Sequence, residues 1–247
     1  MKKSIWFLTV CFFLFIMSLS AFSAASDSLD MLLGPNVPVK AIPEDLQLPD
    51  AVIPFLKGEF YNTIGKQASF DTQFKIVTLI TKITNVPSQK YDLLQDIIME
   101  DVRNANKTAQ KIIAVSPDAR VLAINAIGIS SNSTYVPALL TVLERDESVN
   151  PRIAAAMVLP KLGNNDVIIP KMLDLLKNQY GANRAKFEEQ DSKRFDDDRV
   201  AEAIIKSLGE IGDPRAFPVL LQTVMNPDRH RDDTVKAGWD AMKKIKW

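Results

Sequence analysis

The chain has 247 residues, 47% of them hydrophobic and 24% charged, and this composition is that of a folded globular protein rather than a disordered one. The 30 basic and 30 acidic side chains cancel, so the formal net charge is zero. Bulk electrostatics therefore give no attraction to nucleic acid, and we expect no nucleic-acid partner.

Residues 1–25 are predicted to be an export signal. Two lysines give a basic start, an apolar run follows from Ile5 to Met17, and small residues surround candidate cleavage points after Ser23 and Ala25. In the alternative, the segment is retained as an anchor, because its largely apolar stretch from Ile5 to Phe22 is just long enough to span a bilayer. Either way, the rest of the chain is expected to be periplasmic or extracellular, with membrane contact only through this segment.

Cys11 is the only cysteine, and it lies inside this apolar run. The mature chain then has no cysteine, which excludes disulfides, thiolate metal sites and cysteine nucleophiles together. The exported part must therefore be held together by burial alone, and it is long enough for that.

Residues 26–69 are predicted to be a proline-rich lead-in that caps the first repeat. Its prolines block long helices, and only a short helix from Pro49 to Lys57 is expected. Such a cap has a physical purpose, because the end of a repeat array needs its outer apolar face covered.

Residues 70–117 are predicted to be a divergent helical repeat. Apolar residues at helical spacing indicate a first helix from Phe70 to Ile83 and a second helix from Ser88 to Asn104. The β-branched residues of the first segment leave a strand as the alternative there.

Between residues 118 and 247 a helical sequence motif, called the phrase below, occurs four times. The phrases begin at Arg120, Arg152, Ala201 and Val235, and small or apolar residues recur at matching distances after each start. A second helix is predicted after each of the first three phrases, with a proline near its beginning: Pro137, Pro170 and Pro218. A helix, a turn and a second helix therefore form the repeating unit.

The fourth phrase has no second helix after it and is predicted to be a C-terminal half repeat. Trp239 and Trp247 on this half repeat are expected to cover the last apolar face.

The interval between the second and third phrases contains an insertion near residues 178–199. We expect Asp197 or Asp198 to cap the following helix at its positive N-terminal end. Insertions in repeat arrays lie in loops on one face, often the functional one. The plainer alternative is a solvated loop or an extended helix of mixed charge.

The segment Ala201–Val224, AEAIIKSLGEIGDPRAFPVLLQTV, resembles the HEAT repeat, and is similar in particular to the short HEAT-like variety first noted in phycobilin lyases. The resemblance implies an all-α protein, an α-solenoid of about four to five helix pairs whose second helices line a concave face. Two positions depart from the pattern, since Ala201 replaces the usual arginine and Pro160 replaces a glycine. The resemblance implies a fold rather than an activity, because this repeat serves many unrelated functions.

The second helices are expected to present a polar ridge of mixed sign. Their leucines, Leu221 among them, must face the core, while Val219 and the polar residues remain outward. Such a ridge suits a protein partner better than a lipid or a phosphate backbone, and the plainer alternative is a solvated surface. The residues predicted to bind a partner lie on this ridge or in the insertion: Thr141, Lys171, Asp174, Arg215, Gln222, Asp196 and Asp197.

No residue pattern in the mature chain indicates catalysis. Its single histidine, His230, is predicted to lie in a surface loop and cannot by itself form a common zinc site. Nucleophile, zinc-protease, phosphate-loop and dinucleotide motifs are absent from the sequence. We therefore expect no catalytic residue, no metal site and no cofactor.

The leading hypothesis is a non-catalytic protein-binding scaffold or adaptor of the cell envelope. The alternative is an enzyme or lyase-like accessory that acts on a small ligand in the concave groove. A deep pocket that gathers acids of perturbed pKa, with Trp239 or Tyr180 as a wall, would favour the alternative. A shallow groove of exposed polar side chains would favour the scaffold.

Overall fold

A computed structural model describes residues 29–64, 66, 69–84, 87–104, 114–180 and 191–247. The predicted signal at 1–25 and the centre of the predicted insertion, 181–190, lie outside these residues. Across the described ranges all named elements are helices, and the only bridge outside them joins Leu48 to Ile83. The all-α class predicted from the sequence is therefore confirmed.

The chain divides into two units, one ending at Leu93 and the other running from Leu94 to Trp247. The division falls within a single helix, α3, which spans Pro87–Asn104. The predicted segment borders at 69/70 and 117/118 remain predictions.

The first unit is built around two helices, α1 (Ile53–Thr63) and α2 (Phe70–Thr81), which pack against each other. The predicted short helix is present but begins later and ends at Thr63 instead of Lys57. Pro54 is tolerated because it lies in the first turn of α1, where no backbone donor is needed. Leu56 and Phe60 of α1 are fully buried, as are the four apolar residues that α2 carries between residues 76 and 80. The helix predicted from Phe70 is confirmed over 70–81.

The second unit continues with seven further helices in the ranges described. They are α4 (Pro117–Ile129), α5 (Val136–Arg145), α6 (Val149–Val158), α7 (Asn165–Asp174), α8 (Ser192–Ile211), α9 (Phe217–Val224) and α10 (Asp232–Met242). A π-helical segment, Leu175–Gln179, prolongs α7. Short 3-10 turns precede α5, α9 and α10 and follow α6.

These helices stack as the repeated phrase predicts. The first helices of the pairs, α4, α6, α8 and α10, pack each against the next, while α5 and α9 pack against α6 and α10. The apolar residue seven positions into each of the first three phrases is completely buried: Ile127, Leu159 and Leu208. The apolar positions that recur in the phrases therefore lie on the side of each helix that packs against neighbouring helices.

Helix α8 begins earlier than the sequence suggested. Its N-cap is Asp191, whose carboxylate accepts the backbone N–H of Arg194 at 3.0 Å. The expected caps, Asp197 and Asp198, instead lie in the second turn and are buried, so that prediction was wrong. The prolonged α7 takes up residues 178 and 179 of the predicted insertion, and α8 takes up 192–199.

Two further expectations are corrected at the C-terminal end. Val219 was expected to face outward but is 5% exposed, and Leu221 was expected to face the core but is 37% exposed. The reason is that the buried side of α9 consists of residues 219, 220, 223 and 224. Trp239 and Trp247 do not cover the last apolar face, since they are 49% and 85% exposed. Trp247 instead meets the ring of Phe217 edge-on, with centroids 5.1 Å apart.

The contact between α8 and α10 leaves no room for a side chain at Gly209. A Cβ there would lie 2.7 Å from the Cα of Ala241. We predict that Gly209→Ala lowers the free energy of unfolding by about 1–3 kcal/mol, because backbone must move to admit the methyl group. Chemical denaturation of the purified chain measures this change.

The matched control is Gly58→Ala on the exposed side of α1, where a Cβ would meet nothing within 4 Å. Alanine there should stabilise the chain by about 0.5–1 kcal/mol through helix propensity. A Gly209→Ala variant as stable as the parent would contradict the packing of α8 on α10.

Candidate functional site

The site begins with a buried arginine in the first turns of α4. Arg120 is 1% exposed, and its Nη2 donates to Asp146 Oδ1 and to Ser148 Oγ, each at 3.0 Å. Its Nη1 donates to Asp101 Oδ2 and to the carbonyl of Val115. One guanidinium therefore joins α3, α4 and the connection between α5 and α6.

Of the two acids that face Arg120, Asp146 is buried and Asp101 is partly buried. Burial raises the pKa of Asp146 and of Asp101, because the solvation that they lose exceeds what one shared guanidinium restores. Asp146 Oδ1 also accepts the backbone N–H of Ser148 at 2.8 Å, whereas Oδ2 has no hydrogen-bond partner among the described residues.

A second buried arginine repeats this arrangement one phrase later. Arg152 Nη1 lies 3.5 Å from Asp197 Oδ1 on α8, and its Nε donates to the carbonyl of Leu143 at 3.2 Å. The guanidinium also sits 5.3 Å from the ring centre of Tyr180, which is 1% exposed. Arg120 thus reaches an acid in the connection to the next repeat, and Arg152 reaches an acid on the first helix of the next repeat.

The third junction has a different chemistry. The arginine position is Ala201, and the buried charge is instead Asp198 of α8. His230 Nδ1 lies 2.7 Å from Asp198 Oδ1, while Thr234 Oγ1 and the backbone N–H of Arg231 donate to Oδ2 at 2.6 and 2.8 Å. Since an ionised carboxylate only accepts, Nδ1 is the donor in this pair.

The prediction of a surface histidine was therefore wrong, because His230 is 5% exposed and turned onto α8. Burial by itself would raise the pKa of Asp198. The hydrogen bonds from His230, Thr234 and Arg231 outweigh it and hold that pKa below its ordinary value.

A cleft of about 550 Å³ opens where α5 ends, α6 and α8 begin and the π-helical segment of α7 terminates. Apart from Val149, Gln179 and Ser192, its lining is charged. The acidic members are Glu144, Asp146, Glu147, Asp196 and Asp197, and the basic members are Arg145, Arg152 and Lys193.

The structure brings only some of the predicted partner-binding residues to this cleft. Asp196 and Asp197 line it, and Lys171 lies beside it because its Nζ bonds Glu144 at 2.7 Å. Asp197 is buried, so a partner would contact it from inside the cleft and not on the exposed ridge predicted from the sequence.

The remaining predicted residues lie outside the lining of the cleft, on or next to the second helices. Thr141 bonds the carbonyl of Pro137, and Asp174 accepts the amide of Asn178. Arg215 reaches Asp166 of α7 at 3.1 Å, and Gln222 is exposed. Their role in binding remains a prediction.

Sequence reasoning missed Arg152, Glu147 and Lys193 as members of one site. A signal was present, since an arginine opens each of the first two phrases and an acid stands a few residues before the next phrase. That spacing indicates a carboxylate placed to meet the preceding arginine once the repeats stack.

Residues 200–223 match the family model of the PBS lyase HEAT-like repeat. The match covers most of α8, the 3-10 turn Pro214–Ala216 and nearly all of α9, which is one helix-turn-helix unit. The protein is thus an all-α helical repeat protein that carries a HEAT-like repeat, and the resemblance seen at 201–224 is confirmed. No curated protein matches the chain, and no solved structure matches it.

Two further findings hold for the described residues. None of their helices combines the length and apolar character needed to cross a bilayer. Within the same ranges, no three His, Cys, Asp or Glu side chains are grouped so that they could hold a metal ion.

Removing Arg120 should strongly destabilise the second unit. We predict that Arg120→Met lowers the free energy of unfolding by about 3–5 kcal/mol, because the buried Asp146 and the partly buried Asp101 would lose their cation. Urea denaturation gives the value. Arg215→Ala is the control, because it removes an exposed pair and should change little. Equal stability of the two variants would show that Arg120 does not join the repeats.

Asp198 should make stability depend on pH in acid. Its folded pKa is lowered, so the ionised group stabilises the fold above the ordinary pKa of aspartate, about 3.9, and this contribution is lost as pH falls through the folded pKa. Asp198→Asn should therefore lower the Tm at neutral pH, with the gap to the parent narrowing in acid.

Thermal melts between about pH 3 and pH 7 measure this gap. Thr234→Val, which removes only one donor to Asp198, should show a smaller gap that narrows over the same range. A gap that is constant across the range would mean that the Asp198 carboxylate is not responsible.

Proposed function

We propose that this protein is a non-catalytic scaffold or adaptor of the cell envelope that binds another protein. The binding surface consists of the charged cleft and the adjoining second helices α5, α7 and α9. The observation that carries this proposal is the lining of the cleft, which is charged and contains both signs over a volume of about 550 Å³.

The character of the lining favours a protein surface over a small molecule. Pockets for small ligands are mostly apolar with a few polar groups, and this cleft has the opposite balance. Charged groups of both signs give orientation and specificity when two protein surfaces dock. The rim pairs Lys171–Glu144 and Arg199–Asp196 are partly exposed, so they can exchange for groups of a partner.

The core of the same region supplies rigidity rather than chemistry. Arg120, Arg152 and Asp198 are held by hydrogen bonds or ion pairs between successive repeats. A rigid array that presents side chains along one face can bind a partner with little ordering cost. The buried pairs join the repeats, and the partly exposed charges at the rim can contact a partner. This arrangement supports a scaffold.

An enzyme or lyase-like accessory acting on a small ligand is the second candidate. Asp146 favours it, because this acid lines the cleft and burial raises its pKa. Neither of the aromatic walls expected for such a site, Trp239 and Tyr180, is among the lining residues. Turnover of a substrate by the purified chain that is lost in Asp197→Asn would overturn the scaffold proposal.

Photo-crosslinking in the exporting cell tests the scaffold directly. A p-benzoylphenylalanine at Ser192, which is exposed and lines the cleft, should give one discrete protein adduct. The same probe at Glu210, exposed near the other end of α8, is the control and should not give that adduct. Glu147→Lys should weaken the Ser192 adduct, because it alters the charge of the lining. Identical adducts at both positions would count against the cleft as the binding surface.

We also propose that the described units act outside the cytoplasm, because the first 25 residues have the pattern of an export signal. The intact mass of the protein recovered from the cell envelope should then correspond to a chain beginning at Ala24 or Ser26. A cytoplasmic protein beginning at Met1 would contradict export.

A further inference from the structure

One side of α10 is partly exposed, although the corresponding side of each earlier first helix is buried; it is called the open side below. Val235 and Met242 are only partly buried, and Trp239 is 49% exposed. These residues stand zero, seven and four positions into the fourth phrase. The residues at the same positions of the first three phrases are buried: Arg120, Ile124, Ile127, Arg152, Ala156, Leu159, Ala201, Ile205 and Leu208. The open side of α10 is therefore the side that the first helices use to meet a neighbour.

The charges of α10 and its last turn form a self-complementary series. From 232 to 244 the sequence is DDTVKAGWDAMKK. When this segment is aligned antiparallel with a second copy of itself, every acid lies opposite a lysine. The opposed positions are Asp232 and Lys244, Asp233 and Lys243, and Lys236 and Asp240.

Helical spacing separates this face into two flanks. Val235, Trp239 and Met242 follow one another at four and three residues and form an apolar flank. Asp233, Lys236, Asp240 and Lys243 follow at three, four and three residues and form a charged flank. Two copies of one helix related by a two-fold axis across their axes are antiparallel, and each flank then meets the same flank of the other copy.

We propose that α10 is the contact between two copies of this chain, packed antiparallel about a two-fold axis. The apolar flanks meet around Trp239, which lies next to the midpoint of the series and serves as the anchor. The charged flanks meet with each acid opposite a lysine, so the series selects a second copy over an unrelated surface.

The charged side chains are available for such pairing. Asp240 and Lys243 pair within the helix at 2.8 Å, yet they are 52% and 73% exposed. Asp233, which bonds Arg231, is 67% exposed. These exposed pairs are worth little to the isolated chain, so exchanging them for partners on a second copy costs little.

A contact through one short helix is small. Interfaces that bury less than about 1,200 Å² belong to the weak, transient class. The dimer is therefore expected to be reversible and to depend on concentration. Because it uses α10 rather than the charged cleft, it is separate from the binding of a partner protein.

Sedimentation equilibrium of the exported chain with two charge-reversed variants tests the proposal. One variant carries Asp232→Lys and Asp233→Lys, and the other carries Lys243→Asp and Lys244→Asp. Each variant alone should have a dimer dissociation constant raised by roughly tenfold or more, because like charges face each other. An equimolar mixture should regain the dimer mass, because the all-lysine ends of one variant face the all-aspartate ends of the other.

Two controls separate association from folding. Lys161→Asp reverses an exposed charge outside α10 and should leave the dimer unchanged. Trp239→Ser, which leaves the charges alone, should weaken the dimer, and circular dichroism should show all variants helical. A parent chain that stays monomeric at millimolar concentration would overturn the proposal, as would a mixture that stays monomeric while both variants are folded.

Discussion

The buried guanidinium of Arg120 is the contact on which the stacking of the second unit depends. A cation with 1% exposure is tolerated only where carboxylates and carbonyls replace its lost water. Asp101 comes from the preceding helix and Asp146 from the connection to the next, so satisfying one charge fixes three successive segments. Apolar burial is non-directional and would let helices slide, whereas charge-assisted hydrogen bonds fix their register.

The stacking of α4, α6 and α8 could be predicted from the sequence. Residues at fixed positions of each phrase pack into the core, so small or apolar residues recur at those positions. The start of α8 could not, because Ser192 to Arg199 is so charged that local composition indicates a solvated segment. That segment is helical, and Asp198 on it is buried against His230, which lies 32 residues away along the chain. A donor at that distance leaves no local signal, so His230 was predicted to lie in a surface loop and Asp198 was predicted as a helix cap.

The candidate cleft illustrates the same limit. Asp196 was expected at a binding surface from its place in the insertion, and it lines the cleft. Glu147 and Lys193 were not expected, because a cleft between helix ends is made by stacking and not by a local pattern. The available clue was the pairing of Arg152 with an acid before the following phrase, which marks where successive repeats meet.

The departures from the repeat have a common physical origin. Arg120 pairs with an acid in the connection to the next repeat, and Arg152 pairs with an acid of the next repeat. Ala201 carries no charge. At the third junction α8 supplies the acid, while α10 and the segment before it supply the donors. In the fourth phrase the same position is Val235, beside the half-exposed Trp239. An arginine there would require a buried carboxylate from a neighbour, whereas valine and tryptophan require only apolar contact. The open side of α10 is therefore suited to a contact that can form and separate without leaving an unpaired buried charge.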